Sequence, residues 1–376
     1  MNARARGDRE RVQSVGEKSR FDMVVYGTAS RRSAPLAAGL IVMLALPIVG
    51  CAHRTEAMLA VATGQVTTSK VDMLVATTRL PAENPGVLFS GERADDISLS
   101  NVVISIPPDG NREVGAIQWP DSYPGDPLKS FVTTKAQTIS ETRVNDWFKR
   151  TSGPRRKALI FVHGFNTTYS EAVFRFAQLA HDLKIEAAPV LFTWPSRGNA
   201  LDYVYDREST VYSRFGLVAV LQEAIASRDV ENVTIVAHSM GTSLAIEALR
   251  EVAIRNHGVS PKIRTVVLAS PDIDIDVFRR QVVEMGPKRP AFLVFSSRND
   301  LALLLSKWIA GDVDRLGGVD LRENQALLAK LGVTVIDATD VAHADPLGHT
   351  AFAESAEMLN ALAQNVLARA QSAPRR

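Results

Sequence analysis

Cysteine is almost absent: the 376 residues contain one, Cys51. An intrachain disulfide is therefore excluded, and a zinc site built from several Cys and His ligands is not expected. Strong charge is missing too. With 43 Lys+Arg against 41 Asp+Glu, the formal net charge is +2, which gives no reason to expect a nucleic-acid partner. No internal repeat or low-complexity tract is found. The apolar run at 34–49 is short for a transmembrane span. What is present, 46% hydrophobic and 22% charged residues, is an ordinary globular composition.

The lone cysteine is placed for lipid attachment. Arg31 and Arg32 form a positive segment, 34–49 has the length of a signal-peptide core, and Ile48-Val49-Gly50-Cys51 resembles a bacterial lipobox. The expectation is a signal peptide over 1–50, cleaved before a lipid-modified Cys51. An uncleaved anchor, or a plain signal peptide with an incidental cysteine, is the alternative. Residues 1–22 are long and polar for such a segment, and a start at Met23 would give a signal of ordinary length. Position 52 is alanine, without the aspartate that signals inner-membrane retention. The expected location is thus the cell envelope, anchored to the outer membrane and facing the periplasm. Residues 51–70 read as a tether and 71–370 as one domain.

The domain is organised around 232–241, N-V-T-I-V-A-H-S-M-G. Val233, Ile235 and Val236 suit a strand buried on both faces, and Leu244, Ala245, Ala248, Leu249 and Val252 recur at helical spacing. Ser239 therefore falls on a sharp strand-to-helix turn, the setting of a nucleophile elbow. Its flanking small positions are Ala237 and Gly241, so the first glycine of G-x-S-x-G is replaced by alanine.

Strands are expected at 71–79, 102–106, 115–119 and 130–134, then a helix at 139–150, all added to one edge of the main sheet. Lys157 begins a buried strand (157–162) that ends in His163-Gly164-Phe165-Asn166. In such a loop the N–H of Phe165, with that of Met240, would form an oxyanion hole. His163 reads as a turn residue that holds local backbone. After the strand at 188–193, Tyr203, Tyr205, Asp206, Arg207 and Tyr212 read equally as an aromatic surface loop with a helix start or as a wall of the substrate pocket. Asp272 and Asp300 each follow a later strand. His349 follows the last strand, at 333–336, and precedes a helix at 351–370. The order Ser239, Asp300, His349 is that of an α/β-hydrolase triad. Asp272 is the alternative acid, although helix capping also explains it, and His343 is the rival base.

With these motifs in place, residues 71–362 resemble the bacterial α/β-hydrolases grouped as a domain of unknown function and labelled esterase/lipase superfamily. The resemblance rests on V-A-T-T-R (75–79), L-F-S-G-E-R (88–93), V-I-S-I-P-P (103–108), F-V-H-G-F-N (161–166), Y-D-R-E-S (205–209), A-H-S-M-G and S-P-D-I-D. It implies an α/β-hydrolase fold: a mostly parallel central sheet, helices on both faces, and extra N-terminal strands. It also implies a Ser-His-acid site, with no metal or organic cofactor and no defined substrate. The expected activity is hydrolysis of a small or lipid-like carboxylic ester through an acyl-enzyme on Ser239. Thioesters or amides would use the same site. A hydrolase-fold lipoprotein that binds a ligand or partner without turnover is the other reading.

Overall fold

The computed structural model describes residues 59–371, except 65, 66, 185, 320 and 342–344. The signal segment, Cys51 and His343 lie outside the described residues. Nine strands form one sheet in the order β3-β2-β1-β5-β4-β6-β7-β8-β9. Its centre is β4 (Lys157–Val162), between β5 (Ala188–Thr193) and β6 (Asn232–His238), all parallel. Beyond β6 lie β7 (Ile263–Ala269), β8 (Ala291–Ser296) and β9 (Val333–Asp337), also parallel. On the other side β1 (Ser69–Pro81) runs parallel to β5. It then pairs antiparallel with β2 (Phe89–Ile106), which pairs antiparallel with β3 (Val132–Thr138).

The strands alternate between two cores, as a period of two requires. Leu159 and Phe161 enter one core; Ile160 and Val162 enter the other. The first core is closed by α2 (Tyr169–Asp182) through Val173, Phe174 and Phe176. It is completed by α9 (Ala351–Glu354) and α10 (Ala356–Gln371) through Phe352 and Leu359. The second is covered by α1 (Val144–Thr151), α4 (Arg214–Ala226), α5 (Met240–Asn256) and α6 (Ile275–Glu284). Each fully buried Val, Leu or Phe contributes about 1.5–3 kcal/mol of transfer free energy, so two apolar faces per strand explain the near-continuous apolar strand sequences.

The edge differs in detail from the sequence expectation. Residues 115–119 form no strand; β3 takes the outer side of β2, the side on which they were expected to add. Instead Trp119 packs on Phe174, with ring centroids 5.3 Å apart. The chain is also held earlier than a tether over 51–70 implies: Leu59 is buried and Ala62 N donates to Thr133 O. The helix expected at 351–370 breaks at Ser355, which is extended. Residues 203–212 are not a loop but a helix, α3 (Tyr203–Tyr212). Two further helices, α7 (Leu301–Ile309) and α8 (Leu321–Lys330), complete the described elements.

Candidate active site

Ser239 joins β6 to α5 with φ 51° and ψ −125°. A non-glycine residue there carries strain of order 1–3 kcal/mol and must be held by its surroundings. Its N–H donates to Ala269 O (2.9 Å), and its carbonyl accepts from Thr242 N (3.0 Å) and Asp272 N (3.2 Å). Both neighbours at two residues' distance must be small. Ala237 is fully buried, and a Cβ on Gly241 would lie 2.2 Å from His163 O. The loop after β4 passes just as close: a Cβ on Gly164 would be 2.9 Å from both Ser239 Cβ and His238 Nδ1. Among the described residues, neither Phe165 N nor Met240 N has a hydrogen-bond acceptor, and Met240 opens a helix whose first N–H groups lack intrahelical partners. Two backbone donors are thus left at the elbow.

A buried polar network fixes the Phe165 loop. His163 Nδ1 donates to Gly164 O (2.8 Å), while Nε2 accepts from Trp194 N (3.2 Å) and lies 2.9 Å from Thr193 Oγ1. Burial, reinforced by the Arg79 cation, pushes the His163 pKa down to about 3, so the ring stays neutral. Arg79 is itself fully buried. It donates to Thr193 Oγ1 (2.9 Å), Ser196 O (2.7 Å) and Thr167 O (2.8 Å), and burial lowers its pKa to about 10. Asp206, at the start of α3, accepts from Asn166 N (3.2 Å), Arg197 N (3.1 Å) and Ser196 Oγ. Burial raises its pKa against these hydrogen bonds.

The candidate acid and base meet across the loops after β8 and β9. His349 Nδ1 lies 2.7 Å from Asp300 Oδ2, with the carboxylate side chain fully buried. Asp300 caps α7, its Oδ1 accepting from Leu303 N (3.0 Å), so one carboxylate both starts the helix and orients the imidazole. Asp345 holds the histidine loop by accepting from His349 N (2.7 Å), Thr350 N (3.0 Å) and Leu347 N (3.0 Å). Burial would raise the Asp345 pKa, but these N–H donors together lower it. His238, beside Ser239, reaches the same loop. Its Nε2 is 3.1 Å from His349 O, and the two rings are 4.8 Å apart. Burial, then the neighbouring His349, keep its pKa well below the usual histidine value. None of the hydrogen bonds among the described residues joins Ser239 Oγ to His349; such contacts are often long before substrate arrives.

Asp272 is engaged elsewhere. Its Oδ1 accepts from Ser306 Oγ (2.6 Å) and lies 3.1 Å from the buried Arg315 Nε, and its Oδ2 accepts from Tyr203 OH (3.3 Å). Helix capping falls to Asp274, which accepts from Asp276 N (2.7 Å) and Val277 N (2.9 Å). Asp272 therefore braces α3 and α7 and, through its N–H, the elbow. Arg79 and Asp206 were not assigned this loop-holding part from sequence; their signals are their places in V-A-T-T-R and Y-D-R-E-S, two segments that carry the resemblance, and a charge beside apolar residues. A cavity of about 360 Å³ lies on the α1/α4 face, lined by Leu74, Leu99, Val144, Phe148, Val190 and Val220, apart from these residues. No three His, Cys, Asp or Glu side chains among the described residues converge as a metal-ligand group.

A mostly parallel sheet, helices on both faces and a strained serine between a central strand and its helix define an α/β-hydrolase. Residues 139–368 match the family described as alpha/beta hydrolase of unknown function (DUF900), and the chain belongs to that family. No curated protein matches it. Among solved structures, carboxyl esterase 2 from Tuber melanosporum aligns over 90% of this chain and 98% of its own, at 11% identity and TM-score 0.41. Est1E from Butyrivibrio proteoclasticus aligns over 72% and 95%, at 11% identity and TM-score 0.37. A lipase-esterase related protein from Clostridium acetobutylicum aligns over 58% and 96%, at 12% identity and TM-score 0.32.

Proposed function

We propose that the protein is a serine hydrolase of carboxylic esters, held at the cell envelope by a lipid on Cys51. The observation that carries the chemical reading is the 2.7 Å contact between His349 Nδ1 and Asp300 Oδ2 in the loops beside a strained Ser239. With Nδ1 bonded to the carboxylate, Nε2 is the nitrogen that serves as base. Ser239 Oγ attacks the ester carbonyl carbon while its proton passes to His349 Nε2, and Asp300 stabilises the imidazolium. The carbonyl oxygen becomes negative against Phe165 N–H and Met240 N–H, donors that need no reorganisation. Collapse breaks the bond to the alkoxy group, which leaves with the proton from His349. Water then attacks the acyl-enzyme, giving its proton to His349, and the acid is released as Ser239 recovers its hydrogen.

A series of p-nitrophenyl esters of increasing acyl length tests this reading. Ser239→Ala is expected to lower turnover by on the order of 10⁴-fold or more, because the members act as a unit. Asp300→Asn should lose on the order of 10⁴-fold while staying folded. Asp272→Asn should keep most of the turnover and lose melting temperature, since its carboxylate contacts Arg315, Ser306 and Tyr203 rather than His349. Wild-type turnover that survives Ser239→Ala would refute the serine mechanism. An inactive, folded Asp272→Asn beside an active Asp300→Asn would reverse the acids.

A further inference from the structure

Helix α7 is inside out. Leu301, Leu304, Leu305 and Trp308 recur at i, i+3, i+4 and i+7, the spacing of a core-facing stripe, yet they point to solvent. Leu304 is 51% exposed, Leu305 58% and Trp308 68%, whereas the inward side is Leu303 and Ser306. The stripe starts one residue after Asp300, so it stands at the rim of the candidate site. Two contacts extend it. Leu301 N donates to Leu347 O (2.9 Å), which brings the exposed Leu347 of the histidine loop beside it. On the inward side Ser306 Oγ lies 3.0 Å from Tyr203 OH, which ties α7 to the start of α3, where Leu201 and Val204 are also exposed. Lone exposed apolar residues need no explanation; a stripe and its neighbours at a site's mouth mark an interaction surface.

We propose that this rim docks on a lipid bilayer, its leucines and Trp308 entering the acyl boundary so that ester lipids reach Ser239. The proposal rests on the Cys51 anchor and the esterase reading above. A Trp- and Leu-lined helical face is the kind that lies in a membrane interface. The length of chain before the domain supports the same partner. Leu59 N donates to Gly86 O (3.1 Å) and Ala62 N to Thr133 O (2.9 Å), so the chain is fixed to the domain from Leu59 onward. From Cys51 to Leu59 is eight residues, so a lipid on Cys51 holds Leu59 within at most about 29 Å of its membrane.

Trp308 supplies the probe, because Trp147 and Trp194 are buried and Trp119 is half-buried. The full-length protein is mixed with phosphatidylcholine vesicles whose acyl chains carry bromine. Tryptophan emission should shift to the blue and be quenched, and Trp308→Phe should remove the quenched component. A double variant, Leu304→Glu with Leu305→Glu, should lose the quenching and slow hydrolysis of a vesicle-borne ester by at least about tenfold. Its rate on water-soluble p-nitrophenyl acetate should stay within about twofold, as for an exposed substitution. Unquenched Trp308 in protein that still floats with the vesicles would overturn docking. So would a dimer of the wild-type protein in solution that the Leu304→Glu, Leu305→Glu variant loses, which would make a second copy the partner. If wild-type protein hydrolyses no soluble ester, the esterase reading fails, while quenching, which needs no chemistry, still decides the docking.

Discussion

His163 and His238 are buried and neutral for different reasons, and the difference shows what each does. His163 sits beneath the Phe165 loop beside the Arg79 cation, and its two ring nitrogens are spent on Gly164 O, Thr193 and Trp194. His238 spans from the elbow to the His349 loop. In an unfolded chain a histidine takes up a proton near pH 6.5, whereas burial and Arg79 hold His163 near 3 and His238 is also strongly lowered. Below about pH 6.5 the unfolded state therefore binds protons that the folded state refuses, and stability must fall as pH falls. The loss is at most about 1.4 kcal/mol per pH unit for each histidine, continues toward the folded pKa, and is absent above about pH 7. Urea unfolding at about pH 7 and about pH 5 measures it, and His163→Gln should flatten the dependence by about one proton. At this scale the sequence showed a good deal. Ser239 was legible because a strained turn demands small neighbours, and Asp300 and His349 because strand ends could be counted. Arg79 and Asp206 were not, because their partners include backbone groups up to 117 residues distant.

Among the elements, the Phe165 loop depends most on distant support. It leaves β4, is held from the side by Asp206 of α3 through Asn166 N, and from beneath by Arg79 of β1 through Thr167 O. The residues Tyr203–Tyr212 read equally as an aromatic surface loop with a helix start or as a pocket wall; the helix they form does serve the site, through Tyr203 on Asp272 and Asp206 on the loop. Asp206→Asn replaces an acceptor oxygen with a donor, so Asn166 N, Arg197 N and Ser196 Oγ can no longer all be satisfied. We expect kcat on a soluble ester to fall by roughly 10²-fold with KM little changed, because a small displacement of the oxyanion donors costs transition-state binding. Steady-state kinetics would check it; a rise in KM alone would place Asp206 in substrate binding instead. The parallel strands from β4 to β8 were legible because burial on both faces makes them nearly continuous apolar runs. The N-terminal edge was less so. Apolar runs such as 115–119 pair only if an edge is free, and competition with β3 is invisible locally.

For the whole molecule, a lipid anchor at Cys51 is the proposal, and the described residues include no helix long and apolar enough to cross a membrane. Cys51→Ser should block lipid attachment and processing at that position, which metabolic labelling with a fatty acid and fractionation would read. A membrane-bound, processed and acyl-labelled Cys51→Ser protein would contradict the anchor. The proposed chemistry rests on one activated hydroxyl. The most direct measurement is the site of a fluorophosphonate adduct, found by peptide mass spectrometry. The account predicts an adduct on Ser239 in the wild-type protein, lost in Ser239→Ala and in His349→Ala, and retained in His343→Ala. An adduct on another residue, or Ser239 labelling that survives His349→Ala and fails in His343→Ala, would contradict it.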